Sequence, residues 1–267
     1  MIVIKIGGAA GVNFDAICQD VAALLKEGQR VILVHGGSAE TNEISEKLGR
    51  PPRFVTNESG FTSRYTDRET LEIFAMVTAG RINTLLVERL QKGGVNAFGL
   101  SGVDGRLMLA KRKDAIRIVE NGRKRILRDD YTGKIEQVNA GLLELLMNAG
   151  LMPVIAPLAI SLEGDVVNVD ADRAAAMVAG AVKAEQLLLL TNVPGLMRKF
   201  PDESTLMPHI PKNGLEQALA FAEGRMKKKV LGASEALDLG VKKVVFADGR
   251  IDHPVYSALA GKGTVIE

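Results

Sequence analysis

The sequence has one cysteine, three histidines and a formal net charge of only +2 across 267 residues. The single thiol, Cys18, excludes an internal disulfide, fits a reducing compartment and suits core packing in the first helix. Near-neutral charge gives no global attraction to nucleic acid or a membrane surface. The opening apolar run is too short for a signal peptide and is interrupted by Lys5. The longest apolar stretch, residues 141–162, carries Glu144, Asn148, Pro153 and Pro157, which predicts a helix and a buried strand instead of a bilayer span. No low-complexity tract or fixed-period repeat is present. Two nucleotide signatures are also missing: there is no G-x-x-x-x-G-K-[ST], and Gly99, Gly102 and Gly105 are evenly spaced, unlike G-x-G-x-x-G. Any phosphate site must belong to another architecture, in one large α/β domain or two lobes of ordinary size.

What is present centres on two similar stretches, Ile2-Val3-Ile4-Lys5-Ile6-Gly7-Gly8 and Val31-Ile32-Leu33-Val34-His35-Gly36-Gly37. Each is a continuous apolar run ended by two glycines and followed by a helix-compatible segment. Strands covered on both faces and alternating with helices imply a parallel sheet, whose ligands sit at the carboxyl ends of the strands. Gly-Gly after a strand is often only a tight turn. Two such pairs on neighbouring strands can also turn backbone N–H groups toward a phosphate, and Lys5 would add a full charge there.

Further along, helices are predicted over 13–26 and 38–48, then an exposed loop over 50–66. Thr66-Asp67-Arg68-Glu69 reads as a capping box opening a long helix to Lys92. A strand follows over 95–100, then a basic antiparallel hairpin over 108–131 turning at Asn121-Gly122. In it Lys111, Arg112, Lys113, Arg117, Arg123, Lys124, Arg125 and Arg128 outnumber Asp114, Glu120, Asp129 and Asp130. Solvated, aggregation-blocking charge and docking of an acidic partner both account for this. A helix over 139–149 and strands over 153–157 and 165–167 lead to Asn168-Val169-Asp170-Ala171-Asp172, where Asp170 or Asp172 caps an alanine-rich helix over 172–182. The strand over 187–190 ends in Thr191-Asn192-Val193-Pro194-Gly195. Gly224-Arg225-Met226-Lys227-Lys228-Lys229-Val230 enters a further helix, and strands over 244–247 and 263–266 close the chain. The three lysines suit a solvated face or, at a crevice, phosphates.

Together, Lys5-Ile6-Gly7-Gly8, His35-Gly36-Gly37, Arg64, Asn168 with Asp172, and Lys229 resemble the amino acid kinase family, most closely the acetylglutamate kinases, over nearly the whole chain. The resemblance implies a three-layer αβα sandwich with a mainly parallel open sheet. It also implies an acceptor-binding lobe over 1–167, which includes the hairpin, and an ATP-binding lobe over 168–267. By position it makes Lys5 and Lys229 the lysines that neutralise the transferring phosphoryl group, with Lys227 the alternative to Lys229. Gly8 and Gly37, beside Gly36, would donate N–H groups, Asp172 would hold the lysines, and Arg64 and Asn168 would bind the acceptor's α-carboxylate end. Gly7, Thr191, Asn192, Gly195 and Lys227 would face the nucleotide, ATP, with Mg²⁺ carried on its phosphates and no metal ligated by the protein alone. A carboxylate acceptor is already ionised at neutral pH, so no general base is needed, and the lack of a His/Asp nucleophile arrangement is expected.

Ser38 stands where acetylglutamate kinases usually carry a third glycine, and the segment from Phe54 to Asp67 is longer than their compact version. A more open acceptor site beside a basic hairpin is similar to the branch of the family that phosphorylates aminoadipate attached to the small acidic carrier protein LysW. Gly36-Gly37-Ser38-Ala39-Glu40, Pro51-Pro52-Arg53-Phe54 and Asp129-Asp130-Tyr131-Thr132-Gly133 carry that similarity. Carrier-linked glutamate differs by one methylene, worth only about 1–3 kcal/mol of discrimination. Free N-acetylglutamate as acceptor and a nucleotide-sensing module without turnover are the other readings. The resemblance further implies a cytoplasmic homodimer. Nothing precedes the first strand that matches the extra helix of the arginine-inhibited hexamers, so neither arginine feedback nor a hexamer is expected.

Overall fold

The computed structural model describes residues 1–58, 60–113, 115–120, 123–222 and 225–267, with Glu120 and Arg225 described by their backbone alone. In chain order the elements are β1 (Ile2–Ile6), α1 (Phe14–Lys26), β2 (Val31–His35), α2 (Ser38–Lys47), β3 (Phe54–Thr56), β4 (Thr62–Arg64) and α3 (Arg68–Ala75). The last continues through a π-helical stretch, Met76–Ile82, into α4 (Asn83–Lys92). Then come β5 (Ala97–Gly102), β6 (Met108–Arg112), β7 (Ile116–Glu120), β8 (Arg123–Leu127), β9 (Gly133–Val138), α5 (Ala140–Asn148), β10 (Met152–Ser161) and β11 (Val166–Asn168). The remainder is α6 (Ala171–Ala181), β12 (Gln186–Thr191), β13 (His209–Ile210), α7 (Leu215–Leu219), α8 (Arg225–Asp238), β14 (Lys243–Asp248), α9 (Pro254–Leu259) and β15 (Thr264–Ile266).

Among the described residues one sheet runs β13-β15-β14-β12-β1-β2-β10-β6-β9, with β5 and β11 also paired to β10. Seven of its ten strand pairings are parallel. β1 lies between β2 and β12, so the sheet is continuous across residues 167 and 168. Alternation along the central strands feeds two cores. Ile2, Ile4 and Ile6 pack with Ile17, Leu86, Leu90 and Val255 on one face. Val3, Ile32 and Val34 pack with Leu143, Ala175, Val178 and Val230 on the other. The result is a three-layer αβα sandwich: α1, α4 and α9 on one side, α5, α6 and α8 on the opposite side.

Local chemistry accounts for details of these elements. Asn13 caps α1 by accepting the Ala16 N–H at 3.1 Å, and Asp170 caps α6 by accepting those of Asp172 and Arg173 at 3.0 and 3.1 Å. Pro157 falls within β10 where the ladder passes from β5, paired through Ala156, to β6, paired from Ile160, so its missing N–H breaks no bond on that side. The helix Arg68–Lys92 is long and apolar enough to cross a membrane. Its Leu71, Phe74, Val77, Ile82, Leu86 and Leu90 are instead buried in the protein's own cores.

Three expectations need correction. The loop over 50–66 contains an antiparallel ribbon, β3 on β4, pairing Phe54 with Arg64. Its Val55 packs on Ile116 and Ile118, which supplies the burial that a short polar segment lacks alone. The α3 cap is Asp67, which accepts the Thr70 N–H at 2.8 Å, and not Thr66. Thr66 is fully buried, its own N–H donated to Asp130 at 3.0 Å. The basic stretch 108–131 is not one hairpin. β6 joins the main sheet beside β9 and β10, and only β7 and β8 pair with each other apart from it. The Asn121-Gly122 turn, Asp114 and Gly224 lie outside the described residues.

The buried carboxylate of Asp20, on α1, accepts the N–H groups of Val255 at 2.9 Å and Tyr256 at 3.4 Å, with His253 Nδ1 at 2.9 Å. It caps α9 from a distant helix, where residue 253 offers no side-chain cap. Asp20→Ala should therefore lower stability by about 2 kcal/mol in urea unfolding, leaving two helix-end donors buried without an acceptor.

Candidate active site

The carboxyl ends of β1 and β2 bring their glycine pairs into contact. Gly36 N–H donates to Ile6 O at 2.9 Å, and Ala39 N–H and Ser38 Oγ donate to Gly8 O at 2.8 and 3.2 Å. A Cβ on Gly8 would lie 2.3 Å from Gly37 N and 2.7 Å from Ser38 N, and one on Gly37 would lie 2.6 Å from Ile82 Cδ1. Glycine at 8 is thus a packing requirement against backbone, while at 37 a side chain would have to displace Ile82 and Thr78. Gly7 fits the same pattern, its N–H bonded to Leu190 O at 2.9 Å.

Strand parity decides where Lys5 goes. It shares the Val3 face of β1, the face covered by α6, and is only 4% exposed. There Asp172, second residue of α6, meets it: Lys5 Nζ lies 2.7 Å from Asp172 Oδ1. On α8 the buried residues Val230, Ala233, Ala236 and Leu237 define the inner stripe, and Lys229, one turn before Ala233, continues it. Its Nζ donates to Asp172 Oδ1 at 3.0 Å and Oδ2 at 2.9 Å. Lys227 is exposed on the other side of the helix. A fork pair between Arg173 and Glu235, including Nε to Oε2 at 2.9 Å, ties α6 to α8 beside this cluster.

Burial resists ionisation of Asp172, but the Lys229 and Lys5 charges outweigh it and hold the carboxyl well below the usual carboxylate range. Burial pushes Lys5 below the ordinary lysine range, with Asp172 opposing that shift. The cluster of one carboxylate and two ammonium groups carries an excess of one positive charge. That arrangement suits a phosphoryl group gaining or passing negative charge.

Arg64, at the end of β4, is buried beside the start of α2 and donates through Nη2 to Ser38 O at 3.2 Å and to Asn42 Oδ1. Asn168, at the end of β11, donates to Thr66 Oγ1 at 3.1 Å, two residues from Arg64. Thr191 ends β12 in the interior and accepts the Gly249 N–H at 2.7 Å, while Asn192 is exposed. Gly195 is buried where a Cβ would lie 2.6 Å from Thr264 Oγ1. Lys5, Asp172 and Lys229 converge in one cluster, and Gly7, Gly8, Gly36 and Gly37 touch one another. Lys227 joins neither group.

The sequence reading did not single out Asn83, and it named Asp130 only as a charge and as part of a motif, with no structural role. Asn83 shares the helical stripe of Leu86 and Leu90, a polar residue at a core position, and that mismatch is the signal it offers. Asp130 is fully buried and accepts the N–H groups of Thr66 and Thr132, both at 3.0 Å, fastening the Arg64 segment to the start of β9. Nothing in a linear Asp129-Asp130 pair distinguishes its buried member.

Two outcomes follow. Asp172→Asn strands two buried lysines without their counter-charge and should lower stability by about 3–5 kcal/mol in denaturant titration at pH 7. His35, fully buried, has its imidazole pulled down to about 4 by burial, which outweighs its hydrogen bond to Gly36. Between pH 6.5 and 4 the unfolded chain binds a proton there that the folded chain refuses, so stability falls as pH drops through that window. The loss reaches about 3 kcal/mol. His35→Gln should flatten that part of the stability profile.

The comparisons with known proteins agree with this geometry. The model of the amino acid kinase family matches residues 1–248. A [LysW]-aminoadipate kinase from Deinococcus radiodurans is 58% identical over all of this chain and 91% of its own length. A [LysW]-aminoadipate kinase from Thermus thermophilus is 54% identical, with both chains fully covered. Among solved structures, N-acetylglutamate synthase from Neisseria gonorrhoeae, complexed with coenzyme A and N-acetyl-glutamate, superposes with a TM-score of 0.80 at 26% identity, over 99% of this chain and 58% of that one. With β1 and β2 ending in paired glycine loops, Lys5, Asp172 and Lys229 joined in one buried cluster, and the family model covering nearly its whole length, the chain belongs to the amino acid kinase family.

Proposed function

We propose that this kinase uses ATP to phosphorylate the side-chain carboxylate of L-2-aminoadipate carried on LysW, giving an acyl phosphate in lysine biosynthesis. The single observation that carries the phosphotransfer reading is the buried Asp172 carboxylate held between Lys5, on the strand that ends in Gly7-Gly8, and Lys229. The acceptor assignment leans on the names of the two close bacterial relatives and on the basic β7–β8 hairpin.

In this reading an acceptor carboxylate oxygen attacks the γ-phosphorus, the bond to the ADP oxygen breaks, and no proton changes hands. Lys5 and Lys229 offset the repulsion between carboxylate and γ-phosphate, with Asp172 keeping both ammonium groups aimed at the crevice. Gly8 and Gly37 supply N–H donors, and Arg64 and Asn168 bind the acceptor's α-carboxylate end. Thr191, Asn192, Gly195 and Lys227 serve the nucleotide. Mg²⁺ enters on the phosphates of ATP. Among the described residues no three His, Cys, Asp or Glu side chains converge as a ligand set for it. Residues 1–167 form the acceptor side and 168–267 the ATP side, and the working state is a cytoplasmic homodimer.

The hairpin offers Arg117, Arg123, Lys124 and Arg128 to solvent on β7, β8 and just beyond. Arg112 belongs to the fold instead: its guanidinium stacks 3.6 Å from the Tyr131 ring centroid and pairs with Asp165 at 3.0 Å. Docking variants should therefore spare it.

With Mg²⁺-ATP and hydroxylamine as an acyl-phosphate trap, hydroxamate should form on LysW-linked aminoadipate and not on free N-acetylglutamate. Efficient trapping on N-acetylglutamate would sink the carrier assignment and keep the kinase. No trapping with either, despite ATP binding, would favour a sensing module. Arg117→Glu with Arg123→Glu should raise KM for the carrier-borne acceptor at least about tenfold and weaken its salt dependence, leaving ATP hydrolysis in the acceptor's absence unchanged.

A further inference from the structure

His35 is a buried titratable group that the phosphotransfer reading does not use. It ends β2 immediately before Gly36-Gly37. Its Nδ1 lies 3.0 Å from Gly36 O, and its Nε2 lies 3.1 Å from Asn83 Nδ2. Asn83 Nδ2 also lies 2.9 Å from Val154 O. A carbonyl only accepts, so the Asn83 atom facing Val154 must be the amide nitrogen, whose second hydrogen then points at Nε2. Nε2 is accordingly the accepting nitrogen. By the same logic the Gly36 carbonyl requires a proton on Nδ1. The two ends of the chain, Val154 O and Gly36 O, independently select one neutral tautomer.

This hydrogen bond sets a direction. In a trans peptide the C=O of one residue and the N–H of the next point to opposite sides of the same plane. With the Gly36 carbonyl drawn to the buried ring, the Gly37 N–H must point away from it. Among the described residues no acceptor bonds that N–H. Directly against it is Gly8, where a Cβ would come within 2.3 Å of Gly37 N, so only glycine leaves that position open beside this nitrogen.

The surrounding sequence is fitted to the arrangement. A Cβ on Gly99 of β5 would lie 2.1 Å from Asn83 Oδ1, so glycine there makes room for the amide. The π-helical stretch ends at Ile82, directly before Asn83, and Thr78 and Ile82 within it press on Gly37. Wide helical turns of this kind recur at functional sites.

We propose that His35, held in its Nδ1–H tautomer by Asn83, is a positioning residue that locks the Gly36–Gly37 peptide with the Gly37 N–H facing the phosphoryl group. The inference rests on the phosphotransfer reading of this crevice. Neutrality of the ring through the physiological range, from burial, is consistent with it.

The test has two arms. In ¹⁵N–¹H spectra of the wild-type protein, His35 should appear as the Nδ1–H tautomer at pH 7 and should not titrate between pH 5.5 and 8. Its Gly37 amide should shift on addition of a non-hydrolysable ATP analogue. An Nε2–H ring, or a Gly37 amide indifferent to the analogue, overturns the proposal without involving turnover. In kinetics, His35→Leu removes the donor and should lower kcat by about 100-fold with KM for ATP changed by less than about threefold. His35→Asn restores a donor near the Nδ1 position and should stay within about tenfold of wild type. A His35→Leu enzyme within threefold of wild type, or equal losses in both variants that track their unfolding midpoints, would leave His35 a structural residue only. Absence of kinase activity in the wild type would refute the phosphotransfer reading, and the Gly37 amide response would then judge the peptide lock separately.

Discussion

Two ammonium groups are held in the interior of this protein by one carboxylate. Lys5 at 2.7 Å and Lys229 at 2.9 Å repel each other, and burial penalises every charge in the group. The arrangement persists because the cores on both sides of the sheet position the three backbones independently. Strand parity sends Lys5 toward α6, Asp170 starts that helix so that Asp172 falls in its first turn, and the inner stripe of α8 carries Lys229 inward. The Arg173–Glu235 fork fastens the two helices beside the cluster. Two buried ammonium groups thus share one carboxylate beside the strand whose carboxyl end carries Gly7-Gly8.

A second constraint is the near contact of two glycine loops. A side chain at position 8 or 36 would run into the backbone of the opposite loop, so the loops can approach only as glycine. The long helix Arg68–Lys92 serves this closeness as well as the core. Its π-helical stretch brings Thr78 and Ile82 over Gly37, and Asn83 reaches His35. Hydrophobic packing and the orientation of a peptide plane are thereby determined by the same few turns.

Near Arg64 and Asn168, Asp130 plays a comparable part. Its buried carboxylate joins Thr66 to Thr132, and Tyr131 N–H donates to Thr66 O at 2.7 Å while Asn168 N–H donates to Tyr131 O at 2.8 Å. Arg64 and Asn168 are thus set by a single hydrogen-bonded seam. The β7–β8 hairpin springs from that seam, with Arg112 stacked on Tyr131 at its base, and packs through Ile116 and Ile118 on Val55 of the β3–β4 ribbon that carries Arg64. The exposed basic hairpin and the segment that carries Arg64 and Asn168 belong to one packed unit.

Much of this was legible in the chain itself. Continuous apolar runs broken by Gly-Gly sufficed for parallel strands, because strands buried on both faces have no polar alternation to hide them. Caps such as Asn13 and Asp170 act within three residues, so local chemistry determined them as well. The resemblance over Lys5, the glycine pairs, Asn168, Asp172 and Lys229 was enough to indicate the family. Tertiary structure alone decided what depends on distant partners. The polar ribbon at 54–64 forms because Val55 finds Ile116 and Ile118, and Thr66 is withdrawn from capping α3 because Asp130 claims its N–H. Lys229 is separated from Lys227 only when α8 is laid on α6, and Asn83 acquires a partner only when the long helix is folded against β2. Hydrogen bonds and ion pairs between segments tens of residues apart leave no periodicity in a sequence, since their geometry is set by packing that the sequence encodes only in sum.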